Sequence, residues 1–235
     1  MTRLLLEIAV SSVEEAALAV ACGADRIELS CALELGGLTP SIGLMREVRA
    51  AVRVPVWALV RPRPGGFAYS RAEIATMHSD AEALMTAGAD GIVTGVLDRA
   101  NRVDVRATGR VAAPANGRAA FHRAFDLVAA PHEALLALEI AGFARVLTSG
   151  GAPTALEGAP RLAELIRANR LEVLPGGSVR AANVCELVRA TGATQVHAAC
   201  RQLVRPGPAE MGDETTLDAD AVRALRAALD SLAAS

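Results

Sequence analysis

Short apolar runs and longer stretches with apolar residues every three or four positions alternate along the whole chain. The runs Leu4 to Val10, Val54 to Val60, Ala119 to Phe121 and Glu172 to Leu174 have the length and bounding residues of buried strands. The spaced patterns, such as Val13, Ala16, Ala17, Val20 and Ile74, Met77, Ala81, Leu84, Met85, lay their apolar residues along one helical stripe. Four more strands follow a recurring phrase: Cys22-Gly23-Ala24-Asp25-Arg26-Ile27, Ala87-Gly88-Ala89-Asp90-Gly91-Ile92, Ala141-Gly142-Phe143-Ala144-Arg145-Val146 and Thr191-Gly192-Ala193-Thr194-Gln195-Val196. In each, glycine supplies the left-handed residue that ends a helix, and the chain turns at once into a strand. The phrase recurs every ~50–65 residues, which fits two strand–helix units per repeat.

Eight strands alternating with helices imply parallel pairing through crossovers, and eight such units imply closure. The expectation is an α/β fold, a (β/α)8 TIM barrel, as a single domain over residues 1–235. Ser12 with Glu15 and Ser70 with Glu73 have the spacing of capping boxes at two helix starts. Pro206 to Thr216 reads as an irregular loop over the barrel mouth.

Composition narrows the function classes. The 24 basic and 26 acidic residues give a net charge of −2, with no polybasic footprint for nucleic acid or an anionic membrane surface. Every basic residue other than histidine is arginine, so lysine Schiff-base chemistry is excluded. Glu7 interrupts the first apolar run, which predicts a strand rather than a leader, and no run is long enough to span a bilayer. A cytoplasmic protein with reduced thiols is expected. His78 and His132 read as helix residues without a ligand role, and Cys22 and Cys185 as small core residues.

In such a barrel the chemistry sits at the C-terminal ends of the strands. Those ends are densely polar here: Glu7, Glu28, Arg61 with Arg63, His122 with Arg123 and Asp126, Gly176 with Gly177, and His197. Ionisable side chains in strands covered on both faces must be paired or must face a cavity. Phe121-His122-Arg123-Ala124-Phe125-Asp126 concentrates the signal, because an apolar strand runs straight into a His-Arg pair and an acid. One reading makes Glu7 or Glu28 a base and His122 or His197 a proton donor, with Arg61, Arg63, Arg123 and the Gly176-Gly177 backbone holding a small phosphate or carboxylate metabolite. A second reading uses Cys31 and Cys200. They follow strands two and eight, and two thiolates select Cu(I), with His197 or Met211 as helpers.

The chain also resembles the CutC family, named for copper homeostasis, over nearly its whole length. Arg26-Ile27-Glu28-Leu29, Gly36-Gly37-Leu38-Thr39-Pro40-Ser41, Arg61-Pro62-Arg63 with Gly65 and Phe67 to Ser70, Phe121 to Asp126, Leu147-Thr148-Ser149-Gly150 and Pro175-Gly176-Gly177 carry the resemblance. It implies a cytoplasmic (β/α)8 barrel that self-associates as a homo-oligomer and handles copper. The family often has cysteine where Ala9, Ser30 and Ala198 stand, whereas Cys31 and Cys200 lie beside two of those positions. The leading expectation is therefore a copper-homeostasis protein binding Cu(I) through Cys31 and Cys200. The alternative is an enzyme acting on a small anionic metabolite.

Overall fold

A computed structural model describes residues 3–207 and 213–234. Eight parallel strands pair in the order β7-β6-β5-β4-β3-β2-β1-β8: β1 (Leu5–Val10), β2 (Arg26–Leu29), β3 (Val56–Leu59), β4 (Gly91–Thr94), β5 (Ala119–Phe121), β6 (Arg145–Thr148), β7 (Glu172–Pro175) and β8 (Gln195–Ala198). A parallel bridge between Gly176 and His197 joins the last seam and closes the ring. The outer layer consists of α1 (Val13–Ala21), α2 (Ile42–Ala51), α3 (Arg71–Thr86), α4 (Val105–Ala112), α5 (Pro131–Ile140), α6 (Ala159–Ala168), α7 (Ala181–Thr191) and α8 (Ala219–Ala234). The eight-stranded barrel is the one expected from the alternating pattern.

Local chemistry explains the element ends. Gly23, Gly88, Gly142 and Gly192 all have positive φ between helix and strand, as the repeated phrase requires. Ser70 and Glu73 form a full capping box at the start of α3. At α1 the box is shifted: Ser12 accepts from the Glu15 amide, but the Glu15 carboxylate accepts from the Ser11 amide at 2.8 Å. Its other oxygen is drawn away, accepting from Arg201 Nη1 at 2.5 Å and the Leu217 amide at 3.1 Å.

That pull belongs to a feature the sequence reading missed. The last residues of the expected loop, Glu214 to Thr216, belong instead to an antiparallel hairpin of β9 (Arg201–Arg205), which precedes that loop, and β10 (Glu214–Leu217). Arg201 also donates to the Thr215 carbonyl, so one guanidinium locks both strands to α1. Met211 lies outside the described residues.

The buried apolar residues form two clusters. The large one fills the space between sheet and helices; within it Phe121 packs edge-on against Phe143, with ring centres 5.7 Å apart. The small one, Trp57, Leu59, Val93 and Ala120, lies inside the barrel. Much of the remaining interior is polar, and this is what creates a site.

Candidate functional site

Strand register decides which side chains meet inside the barrel. Glu7 lies beside Arg26 on β2 and beside His197 on β8, while Glu28 lies beside Ala9 and Trp57. Side chains alternate along a strand, so Arg26, Glu28 and Ser30 share the inner face, as do Gln195, His197 and Ala199. The inner face thus carries a lower and an upper polar layer.

The lower layer is a connected network. Arg26 pairs through Nε with one oxygen of Glu7 and donates through Nη2 to Gln195 at 2.9 Å. Gln195 donates to Glu172 at 3.5 Å, which also accepts from Arg145 at 2.8 and 3.0 Å. The Arg145 guanidinium lies over Trp57, 4.4 Å from the ring centre. Gly91 is required opposite, because a Cβ there would come within 2.8 Å of the Trp57 ring and 2.6 Å of the Arg118 carbonyl.

The second Glu7 oxygen holds His197 Nδ1 at 2.8 Å, linking the lower layer to the upper one. Burial works against a charged Glu7, but Arg26 and His197 outweigh it and hold the carboxyl well below the usual carboxylate range. Burial likewise opposes charge on His197, yet the Glu28 and Glu7 carboxylates raise it above the ordinary imidazole value. Glu28 is only 7% exposed and makes no hydrogen bond or ion pair among the described residues. Burial, with Glu7 adding repulsion against the attraction of His197 and Arg26, pushes it up to about 7.

Glu7, Glu28 and His197 each bring a polar atom within 4.8 Å of the others. Glu7 is already committed on both oxygens, so Glu28 and the second ring nitrogen of His197 are the groups free to meet a ligand. Two donors fall short of the three or four that a protein-held metal centre usually supplies.

Above them opens a cavity of about 380 Å³. Ionisable groups Glu28, Arg61, His122, Arg123 and His197 line it, with apolar walls that include Leu59, Phe67 and Leu147. His122 is 6% exposed and tilted against Phe67, with ring centres 4.9 Å apart. Its Nδ1 accepts from the Ala124 amide at 3.2 Å, whereas Nε2 is buried without a partner. Burial and the neighbouring Arg61 charge push its pKa down to about 3, so the ring is neutral. Gly95 makes room for it, since a Cβ there would sit 2.6 Å from Cε1.

The Phe121–Asp126 segment therefore divides its labour. His122 turns inward, and Arg123 opens the 3-10 turn Arg123–Leu127 at the rim, bonding Asp126 at 2.8 Å and Ser149 at 3.0 Å. Asp126 also accepts from the Ser149 and Gly151 amides, fixing the loop after β6. Arg61 donates to the carbonyls of Leu35, Gly37 and Gly65 and packs over Phe67, bracing two loops while still lining the cavity. Arg63 lies elsewhere, paired with Glu73 and packed over Tyr69. Gly177 lines a second opening of about 550 Å³, which shares Arg123, His197 and Ala199 with the first. Gly176 lies tight against Leu147 and His197.

Neither the Cys31 nor the Cys200 thiol lines the cavity that holds Glu28 and His122. Cys31 bridges Leu38, and its Sγ donates to the Thr39 carbonyl at 3.2 Å. Cys200 lines the second opening in a left-handed conformation, φ 47°. Burial pushes both thiols up, Cys200 to about 11 with Asp218 adding to the shift. Both are protonated at neutral pH, so thiolate ligation there must displace two protons. Arg26, Arg145, Glu172 and Gln195 did not figure among the expected site residues. The signal for them was present: each lies two residues before another inward position, Glu28, Leu147, Leu174 and His197.

A (β/α)8 barrel with buried acid–base groups at the C-terminal mouth of its strands defines the class. The CutC family profile matches residues 4–202. The chain is 43% identical over 200 residues to a family protein CutC of Treponema denticola, covering 84% of this chain and 81% of that one. It is 42% identical to the Rhizobium meliloti family protein CutC, covering 100% and 99%, and 42% identical to the human copper homeostasis protein cutC homolog, covering 84% and 73%. The crystal structure of CutC from Streptococcus agalactiae superposes with a TM-score of 0.77 at 28% identity, covering 83% of this chain and 97% of that one. This chain belongs to the CutC family. Among the described residues no helix is long and apolar enough to cross a membrane.

Proposed function

We propose that this CutC-family barrel binds and processes a small metabolite carrying a phosphate or carboxylate group at the mouth of its strands. The observation that carries the reading is Glu28, a buried carboxyl without a bonded partner that shares a cavity with the neutral His122, the Glu7-bound His197 and the guanidinium of Arg123. Unpaired buried acid and unpaired imidazole are costly to a fold, and a ligand that completes them accounts for both. Arg123 supplies the anion's partner at the rim, and the Gly177 backbone lies beside it. Glu28 and His197 move protons.

Calorimetry with 2-phosphoglycolate tests this. Wild-type binding that weakens at least tenfold in Arg123→Met, about 1.4 kcal/mol, is the expected result. Equal affinity in the two proteins overturns Arg123 as the anion's partner, and no binding to the wild type overturns the anionic-metabolite reading.

The relatives named for copper homeostasis favour a second reading, Cu(I) ligation through Cys31 and Cys200. It predicts binding that strengthens with rising pH as the thiols ionise. A Cys31→Ser, Cys200→Ser double variant with undiminished Cu(I) affinity removes that reading.

A further inference from the structure

Three features of His122 and Glu28 fit together as parts of one reaction. First, the Ala124 amide donates to His122 Nδ1, so that nitrogen carries a lone pair and the neutral ring bears its proton on Nε2. Second, this Nε2–H donor has no acceptor among the described residues, although the ring borders a cavity. Third, Glu28 borders the same cavity with no donor on its carboxyl. An orphan neutral donor and an orphan carboxylate facing one small space are the two groups needed to take a proton from carbon beside a carbonyl. One accepts the proton, and the other holds the oxygen on which charge develops.

We propose that the barrel deprotonates a small carbonyl compound at the carbon next to its C=O, with Glu28 as the base and His122 Nε2–H as the donor to the resulting enolate oxygen. This rests on the anionic-metabolite reading and adds the substrate class: a short ketone or aldehyde carrying a C–H beside the carbonyl and a phosphate or carboxylate for Arg123. In the step, the C–H electron pair becomes the new C=C bond and the carbonyl π pair moves onto oxygen. The proton passes to the Glu28 carboxylate and returns to carbon as the carbonyl reforms. No oxidant, reductant or co-reactant is needed.

The surroundings suit this division. A neutral imidazole donates without first being deprotonated, and Arg61 beside His122 keeps it from taking up a second proton. Gly95 lets the ring approach β4, where alanine would displace it. The groups facing Glu28 are Glu7 on β1, Arg26 on its own strand and His197 on β8. With the Glu28 carboxyl raised to about 7, proton abstraction strengthens as pH rises through that value.

Incubation of the full chain in D2O with dihydroxyacetone phosphate and, separately, with pyruvate is the direct experiment, read as loss of the C–H signal beside the carbonyl. Wild-type exchange is expected with at least one, falling roughly 10²- to 10⁴-fold in Glu28→Gln and about 10²- to 10³-fold in His122→Ala. Nitrogen-15 NMR of the wild type gives a second measurement that no variant's folding can confuse: 2-phosphoglycolate moves the His122 Nε2–H resonance downfield. Binding of 2-phosphoglycolate without any exchange, or with an unmoved Nε2–H resonance, overturns the enolisation chemistry and leaves the anion site standing. Failure to bind at all overturns both.

Discussion

The two polar layers inside the barrel are built from the same residue types and differ in completeness. In the lower layer Glu7, Arg26, Gln195, Glu172 and Arg145 bond one to the next in that order; Arg145 Nη1 lacks a hydrogen-bond partner, but its guanidinium rests on Trp57. In the upper layer Glu28 and His122 Nε2 bond to nothing described, and Arg61 Nε and Ser30 Oγ are also unmatched. Burial alone does not mark a functional site, since Glu7 is more buried than Glu28. The distinguishing property is partnership. A closed network holds a structure, whereas an open one of the same composition leaves polar groups that a ligand can complete.

That contrast breaks most severely in the lower layer. Arg26→Met leaves Glu7 buried without its guanidinium and is expected to destabilise the fold by about 3–5 kcal/mol in urea unfolding. A loss below about 1 kcal/mol means that Glu7 is not held by that pair. Gly95→Ala comes next, costing roughly 1–3 kcal/mol by overpacking against His122, and it weakens ligand binding because the ring must shift. Unchanged affinity in that variant would show that the ring position is immaterial.

Glu28→Gln has the opposite sign. The folded carboxyl titrates near 7, above its ordinary value of 4.5, so the folded protein loses stability as pH rises from about 4.5 to 7. Glutamine removes that loss. The variant should therefore be more stable than the wild type at pH 8, by on the order of 1–3 kcal/mol, with the difference shrinking toward pH 5. A lower thermal midpoint at pH 8 would mean that Glu28 has a stabilising partner. The smallest effect belongs to the surface: Arg102→Ala at its exposed pair with Asp98 should leave the urea-unfolding midpoint essentially unchanged, and a clear drop would mean that this pair holds its loop.

The lower and upper layers also separate in their pH dependence. Glu7 contributes stability above the ordinary carboxylate range and loses it only in strong acid, because its folded pKa is depressed. His197 contributes below the ordinary imidazole value and loses its contribution as pH climbs through its raised folded pKa. Acid and base unfolding curves of His197→Gln should therefore differ from wild type chiefly on the acid-to-neutral side.

The barrel was legible because its signals are local. A glycine after every second helix marked four strands and bare apolar runs marked the other four; both signals are readable without knowing what packs where, and together they yielded all eight strands. The hairpin escaped because its strands are short and exposed, and because Arg201, Glu15 and Thr215 stabilise it across long sequence separations. The polar strand ends were visible for the same reason as the strands. Their pairing was not: that Arg123 sits at the rim while His122 turns inward depends on where β5 stops and the 3-10 turn begins. Arg63 illustrates the limit, since its spacing matches that of Arg61 but a nearby Glu73 captures it.

The hydrogen bond between Glu7 and His197 joins the first strand to the eighth, 190 positions apart. A nascent polypeptide that has not yet reached β8 has neither a closed ring nor this bond, and of the two Glu7 partners it carries only Arg26. The Glu7–His197 contact thus forms only when the circle is sealed, which makes its appearance a spectroscopic reporter of complete assembly. Stopped-flow refolding monitored at the His197 resonance would time that final event separately from the gain of helix.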